Sequence, residues 1–172
     1  MDSETQLTHT SYIVLGLLSM LGEATPYDLK QMTAVSIGNF WSLPHSQLYA
    51  EPARLARAGY VTEHQEDDGR RRKRYALTDK GKGALAAWLA VLTPEPYELR
   101  DLAVLKLFFG AKISDLAEVQ IETHRQKLAE YEELKKQAPK NAPKGALLAG
   151  ELGIRHERVT IKFWSEQTQG PK

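Results

Sequence analysis

Residues 60–77 constrain this chain more than any other stretch. Two short runs with β-branched or aromatic residues, 60–65 and 73–77, flank Glu66-Asp67-Asp68-Gly69-Arg70. An Asp-Gly step between such runs is a strong local hairpin signal, because glycine supplies the positive φ that a tight hairpin turn requires. Arg70, Arg71, Arg72, Lys73 and Arg74 are consecutive there, although the formal net charge of the 172 residues is only +1. Any affinity for a polyanion therefore rests on where the charge sits rather than on its total.

The preceding residues read as three helices. Apolar residues in 12–21 cover nearly the whole helix circumference, with Ile13, Leu17, Leu18 and Leu21 as one stripe, so this helix must be covered on several sides. Gly22 breaks it. Thr25 suits an N-cap and Pro26 the first position of a short helix over 26–33, with Leu29 and Met32 inward. Residues 35–41 read as a loop. Ser42 as candidate cap and Pro44 near the first turn announce a third helix, with Leu48, Leu55 and Ala58 on one side and Gly59 as its stop. Pro52 lies inside it, and a mid-helix proline costs about 3 kcal/mol, so a kink or a break and restart is expected. After the hairpin, Thr78 and Asp79 cap a fourth helix with Leu85, Trp88, Leu89 and Leu92 on its apolar face.

Thr93-Pro94-Glu95-Pro96 cannot continue a helix and marks a boundary between residues 1–92 and 97–172. Beyond it, 99–109 is strongly apolar, 113–136 is amphipathic with Ser114 as a plausible cap, and 138–143 is a second proline break. A last helix, 144–167, carries Leu147, Leu148, Leu152, Val159 and Trp164 roughly along one side. These helices hold more apolar residues than three isolated helices can hide, so their exposed stripes are expected to close against a symmetry mate. The fold class is mainly α with a small β-hairpin: an N-terminal winged helix-turn-helix domain, then a C-terminal helical dimerisation domain.

That plan implies function. A third helix is narrow enough to enter the major groove, where every base-pair orientation is distinguishable, and the second helix braces it across the backbone. Candidate DNA-binding residues are His45, Ser46, Gln47, Tyr49 and Arg54 on the helix, with Arg70, Arg71, Arg72 and Lys73 on the wing for phosphate or a narrow minor groove. Gln47 can pair bidentately with adenine. A protein-interaction module with the same fold is the alternative.

Other classes fit poorly. There is no cysteine, and His9, His45, His64, His124 and His156 are scattered without metal-ligand spacing. His156 and Glu157 are adjacent, so they cannot point the same way on a helix. No metal, cofactor or catalytic centre is expected. No segment approaches the roughly 18 apolar residues of a membrane span. Residues 1–10 carry Asp2 and Glu4 and no Lys or Arg, unlike a signal peptide, so a cytoplasmic protein is expected.

Taken in order, the apolar run over residues 12–21, Thr25-Pro26-Tyr27-Asp28-Leu29, Phe40-Trp41-Ser42, Gln47-Leu48-Tyr49, Arg54-Leu55, Gly59-Tyr60-Val61, Arg74-Tyr75 and Leu77-Thr78 with Gly81 resemble the PadR family of bacterial transcriptional regulators. The likeness covers residues 11–92, and the helical C-terminal part is similar to the family's Vir or AphA-like subgroup. It implies a homodimer on an operator of two half-sites, often a repressor, released in some members by a small aromatic or phenolic ligand. The groove-entering helix then falls on residues 44–58 and the wing on 65–74. Ala50 after Tyr49, where many members have proline, and Pro52, where they have leucine, depart from the pattern. Trp41, Trp88, Trp164, Phe108 and Phe109 are candidate linings for an aromatic effector.

Overall fold

The computed structural model describes residues 6–65, 72–93 and 99–168. It divides into two compact units, residues 1–95 and 96–172.

The first unit is built around α1 (His9–Leu21), whose Val14, Leu15, Leu17 and Leu18 are all buried. It is covered by α2 (Pro26–Val35), α3 (His45–Arg57) and α4 (Asp79–Ala90), which explains why its apolar residues encircle it. Leu29, Leu48, Leu55 and Leu85 from those helices complete the core. Fully burying one such side chain is worth roughly 1.5–3 kcal/mol, so this cluster is the main driving force of the unit. Thr25 starts α2 with a reciprocal cap: its hydroxyl accepts from the Asp28 N–H, and the Asp28 carboxylate accepts from the Thr25 N–H. The expected loop over 35–41 contains one turn of 3-10 helix, Ile37–Asn39.

The start of α3 corrects one expectation. Its N-cap is Pro44, with no side-chain cap, rather than Ser42. The helix also continues through Pro52 without ending and restarting. Pro52 is fully buried, so packing of its ring offsets the missing hydrogen bond. Gly59, at φ 77, ends the helix. The Tyr60 N–H donates to the Leu55 carbonyl and the Gly59 N–H to the Ala56 carbonyl, both at 3.0 Å, which satisfies the last carbonyls.

The chain then enters β2 (Val61–Gln65), paired antiparallel with β3 (Lys73–Leu77) from Val61 opposite Leu77 to Gln65 opposite Lys73. Sequence reasoning missed a third strand, β1 (Glu23–Ala24), which pairs with the other edge of β3. The connecting residues 66–71, including Arg70 and Arg71, lie outside the described residues.

A small knot ties the hairpin to α4. The Thr78 hydroxyl donates to the Gly59 carbonyl at 2.8 Å and accepts from the Gly81 N–H at 3.1 Å. Gly81 lies so close to the Tyr60 carbonyl that an added Cβ would stand 2.0 Å from that oxygen.

The second unit comprises α5 (Leu102–Phe108), α6 (Ile113–Gln137) and α7 (Lys144–Thr168). Asp101 caps α5, accepting from the Ala103 and Val104 N–H groups. Lys112, not the expected Ser114, is the N-cap of α6, and the Ser114 hydroxyl donates to Asp115 instead. α6 and α7 run antiparallel, tied by Lys135 to Glu151 and Arg158 to Glu132, each at 2.8 Å. His124 Nδ1 and Glu157 Oε2 are 2.5 Å apart between them. Gly153 admits the Tyr131 ring, which a Cβ would meet at 2.5 Å.

α7 does not carry its apolar residues on one side. At about 100° per residue, Trp164 falls roughly opposite Leu148, Leu152 and Val159. It is 1% exposed and packs with Ala103 and Ala117, whereas Leu147, Leu148, Leu152 and Val159 are exposed. Trp164 thus belongs to the core of its own unit.

The close approach at Gly81 predicts that Gly81→Ala lowers unfolding stability by about 1–3 kcal/mol through overpacking. A Cβ at Gly83 meets nothing within 4 Å, so Gly83→Ala should be neutral or stabilising by up to about 1 kcal/mol. Urea denaturation of both variants checks this, and equal responses would mean that close packing is not what Gly81 serves.

Candidate nucleic-acid interface

The exposed side of the helix-turn-helix begins where α3 begins. His45, Ser46 and Tyr49 are exposed, while Leu48, Glu51, Pro52 and Leu55 face inward. Helical spacing puts Arg57, also exposed, on the same side as Ser46. Arg57 was not singled out from the sequence. Gln47 lies on the flank toward α1, its Oε1 accepting a hydrogen bond from the Thr10 hydroxyl at 2.8 Å. Thr10 was missed too, because an interaction across 37 residues leaves no local pattern.

Arg54 does not join that surface. Its Nη2 lies 2.6 Å from Glu51 Oε1 and its Nε 2.8 Å from Glu51 Oε2, a bidentate pair. Nη2 also donates to the Ser11 hydroxyl at 2.9 Å, and Nη1 to the Gln6 carbonyl at 3.3 Å. The Ser11 hydroxyl in turn donates to Glu51 at 2.7 Å and accepts from the Thr8 N–H at 2.8 Å. One donor and two acceptors exhaust what a hydroxyl offers. Arg54 is therefore committed to locking α3 onto α1, where the sequence had suggested a role against DNA.

The lock has an electrostatic signature. Burial of Glu51 opposes its ionisation, but hydrogen bonds from Arg54 and Ser11 outweigh it and hold the carboxyl below its ordinary 4.5.

On the hairpin, Arg72 and Lys73 are exposed. Lys73 Nζ pairs with Glu63 Oε1 at 2.7 Å, and the Tyr75 hydroxyl donates to Glu63 Oε2 at 2.9 Å. Those two hydrogen bonds, Lys73 foremost, lower the Glu63 pKa. Burial, then Glu63, pushes the Tyr75 hydroxyl up to about 12. Arg74 is turned to β1, with Nε 3.1 Å from Glu23 Oε2. The Asp28 carboxyl is lowered first by the Thr25 backbone N–H, with smaller contributions from Arg74 and Arg72, so the hairpin's basic residues extend their field over the start of α2.

Three helices, a bracing turn and a two-stranded basic hairpin define a winged helix-turn-helix protein, here with an appended helical unit. Residues 14–87 match the model of the transcriptional regulator PadR-like family, and residues 99–169 match that of the virulence activator alpha C-term. The chain is 35% identical over 128 residues to the negative transcriptional regulator PadR of Bacillus subtilis (strain 168), covering 70% of each protein. It is similar in structure to Bacillus subtilis PadR in complex with operator DNA, with a TM-score of 0.83 and 27% identity over 95% of this chain and 98% of that one. Likeness to Bacillus subtilis PadR in complex with p-coumaric acid has a TM-score of 0.73 and 25% identity over 94% and 96%. The chain belongs to the PadR-like family of transcriptional regulators. Its homologues are regulators and not enzymes. No helix among the described residues is long and apolar enough to cross a membrane.

Because the Glu51 pKa is depressed in the folded state, its stabilisation is present above the unfolded value and is lost as pH falls through the folded one. The stability of the first unit should therefore decline on acidification below about pH 4.5. Glu51→Gln should lose about 1–3 kcal/mol at neutral pH and show a shallower acid limb. Thermal melts of both proteins between about pH 3 and 7 read this, and a pH-independent difference would contradict the ionised lock.

Proposed function

We propose that this protein is a sequence-specific DNA-binding transcriptional regulator. It acts as a homodimer on an operator of two half-sites, as a repressor that a small aromatic ligand releases. The observation that carries the reading is the exposed polar start of α3 in the same unit as a basic hairpin, in a chain whose relative was solved on operator DNA.

In this reading α3 enters the major groove with His45, Ser46, Gln47 and Tyr49 toward base edges and phosphates. Arg70, Arg71, Arg72 and Lys73 supply cations to the backbone or to a narrow minor groove. Repression is supported by the name of the relative, a negative transcriptional regulator. An aromatic effector is supported by the relative's complex with p-coumaric acid. Dimerisation through the helical domain, residues 97–172, is supported by α7, which leaves Leu152 at 70% and Val159 at 69% exposure, with Leu147 and Leu148 exposed beside them. A stripe of that kind on one helix is a surface for association. A two-fold pair would set two α3 helices near one DNA turn apart, about 34 Å, or a multiple of it.

Replacing Arg70, Arg71 and Arg72 by Ala should shallow the dependence of log affinity on log salt by about 0.9 for every phosphate that the variant no longer neutralises. Fluorescence anisotropy on duplex DNA measures that slope, and an unchanged slope would remove the wing from the interface. In the same assay p-coumaric acid should weaken binding, and an unaltered affinity at saturation would remove release by this class of ligand. Leu152→Asp should shift the sedimentation mass from twice that of the chain to that of the chain. A variant that stays dimeric would place assembly on another surface.

A further inference from the structure

Gln47 is the third residue of α3, a position from which, in a capping box, a glutamine side chain reaches back to the N–H of the N-cap. The N-cap here is Pro44, which has no N–H to offer. The side chain turns instead to the second residue of α1, and the Thr10 hydroxyl donates to Gln47 Oε1 at 2.8 Å. Among the described residues, Nε2 makes no hydrogen bond.

This arrangement matters because a glutamine amide is ambiguous. Rotated by half a turn, it exchanges an acceptor oxygen for an NH2 donor, and the two forms favour different base edges. A threonine hydroxyl can donate to Oε1 or accept from Nε2, so Thr10 anchors the side chain, and in the structure it does so by donating to Oε1. Its branched Cβ restricts χ1, so the hydroxyl is a stiff anchor, whereas the long glutamine side chain has much rotamer freedom to lose. Fixing the amide before DNA arrives reduces the ordering required on binding. One Oε1 lone pair is occupied, and both Nε2 hydrogens remain for acceptors such as purine N7.

We propose that Thr10 is a positioning residue for base recognition, anchoring the Gln47 side chain against α1 with Nε2 left for a base edge, so that the base preference at one position of each half-site depends on a hydroxyl from α1. This rests on the reading of α3 as the groove-entering helix.

The test selects bound duplexes from a randomised pool with the full-length wild type, Gln47→Ala, Thr10→Val, Thr10→Ser and the Thr10→Val/Gln47→Ala double variant. Gln47→Ala should flatten the preference at one base position per half-site. Thr10→Val should relax that same position by about 3- to 10-fold, a part of the roughly 5- to 150-fold that a good base pairing discriminates. Thr10→Ser, which keeps the donor and loses the branch, should stay closer to the wild-type profile than Thr10→Val does, and the double variant should match Gln47→Ala. A Thr10→Val profile like the wild type, or a loss shared equally by all sequences, would overturn the role of Thr10. If Gln47→Ala changes no position, the inference falls while the α3 reading is still judged by the salt slope. A wild type that enriches no sequence would sink the proposed function itself.

Discussion

Glu51 carries a charge into the seam between α1 and α3, where desolvation alone would raise its pKa. It stays ionised because Arg54 meets both of its oxygens and Ser11 adds a further donor. The same Ser11 hydroxyl closes the cap of α1 through the Thr8 N–H. One network thus joins the start of α1 to the middle of α3, and no buried side-chain nitrogen or oxygen among the described residues lacks a partner, the condition under which buried polar groups specify a geometry rather than weaken it. The outward side of α3 follows from it: with Glu51, Pro52 and Leu55 turned in, His45, Ser46 and Tyr49 are left facing out.

The wing is held to that helix by very little chain. Gly59 turns directly from α3 into Tyr60 and β2, and the Tyr60 N–H bonds back to Leu55. Thr78 binds the Gly59 carbonyl from the far end of the hairpin. Gly81 is required there because the Tyr60 carbonyl occupies the space a Cβ would need. The placement of the hairpin beside α3 therefore rests on backbone hydrogen bonds, the Thr78 hydroxyl and one close approach.

Local signals carried the fold well. The Thr25-Pro26 start of α2, the Gly59 stop and the Thr78 cap each act within a few residues, so they could be read directly. Long-range partnerships could not. β1 is two residues long and exists only because β3 offers an edge. Arg54 looks from the sequence like one more cation on a groove-entering helix, and only the fold brings Ser11 and Glu51 to it. Pro52 suggests a broken helix until its burial is seen. Approximate spacing groups Trp164 with Leu152 and Val159, yet the helical period carries it to the other side, into the core of its own unit.

The two units solve different problems with their apolar residues. The first encloses its leucines around α1, while the second leaves large side chains along α7 in solvent. In the proposed function the outward start of α3 and the first residues of β3 meet one duplex. Backbone chemical-shift changes during titration with an enriched DNA sequence test it most directly. The largest changes should fall at residues 45–49 and 72–73, with the Glu51 and Ser11 signals nearly still. Changes confined to residues 144–168, or absent from 45–49, would contradict it.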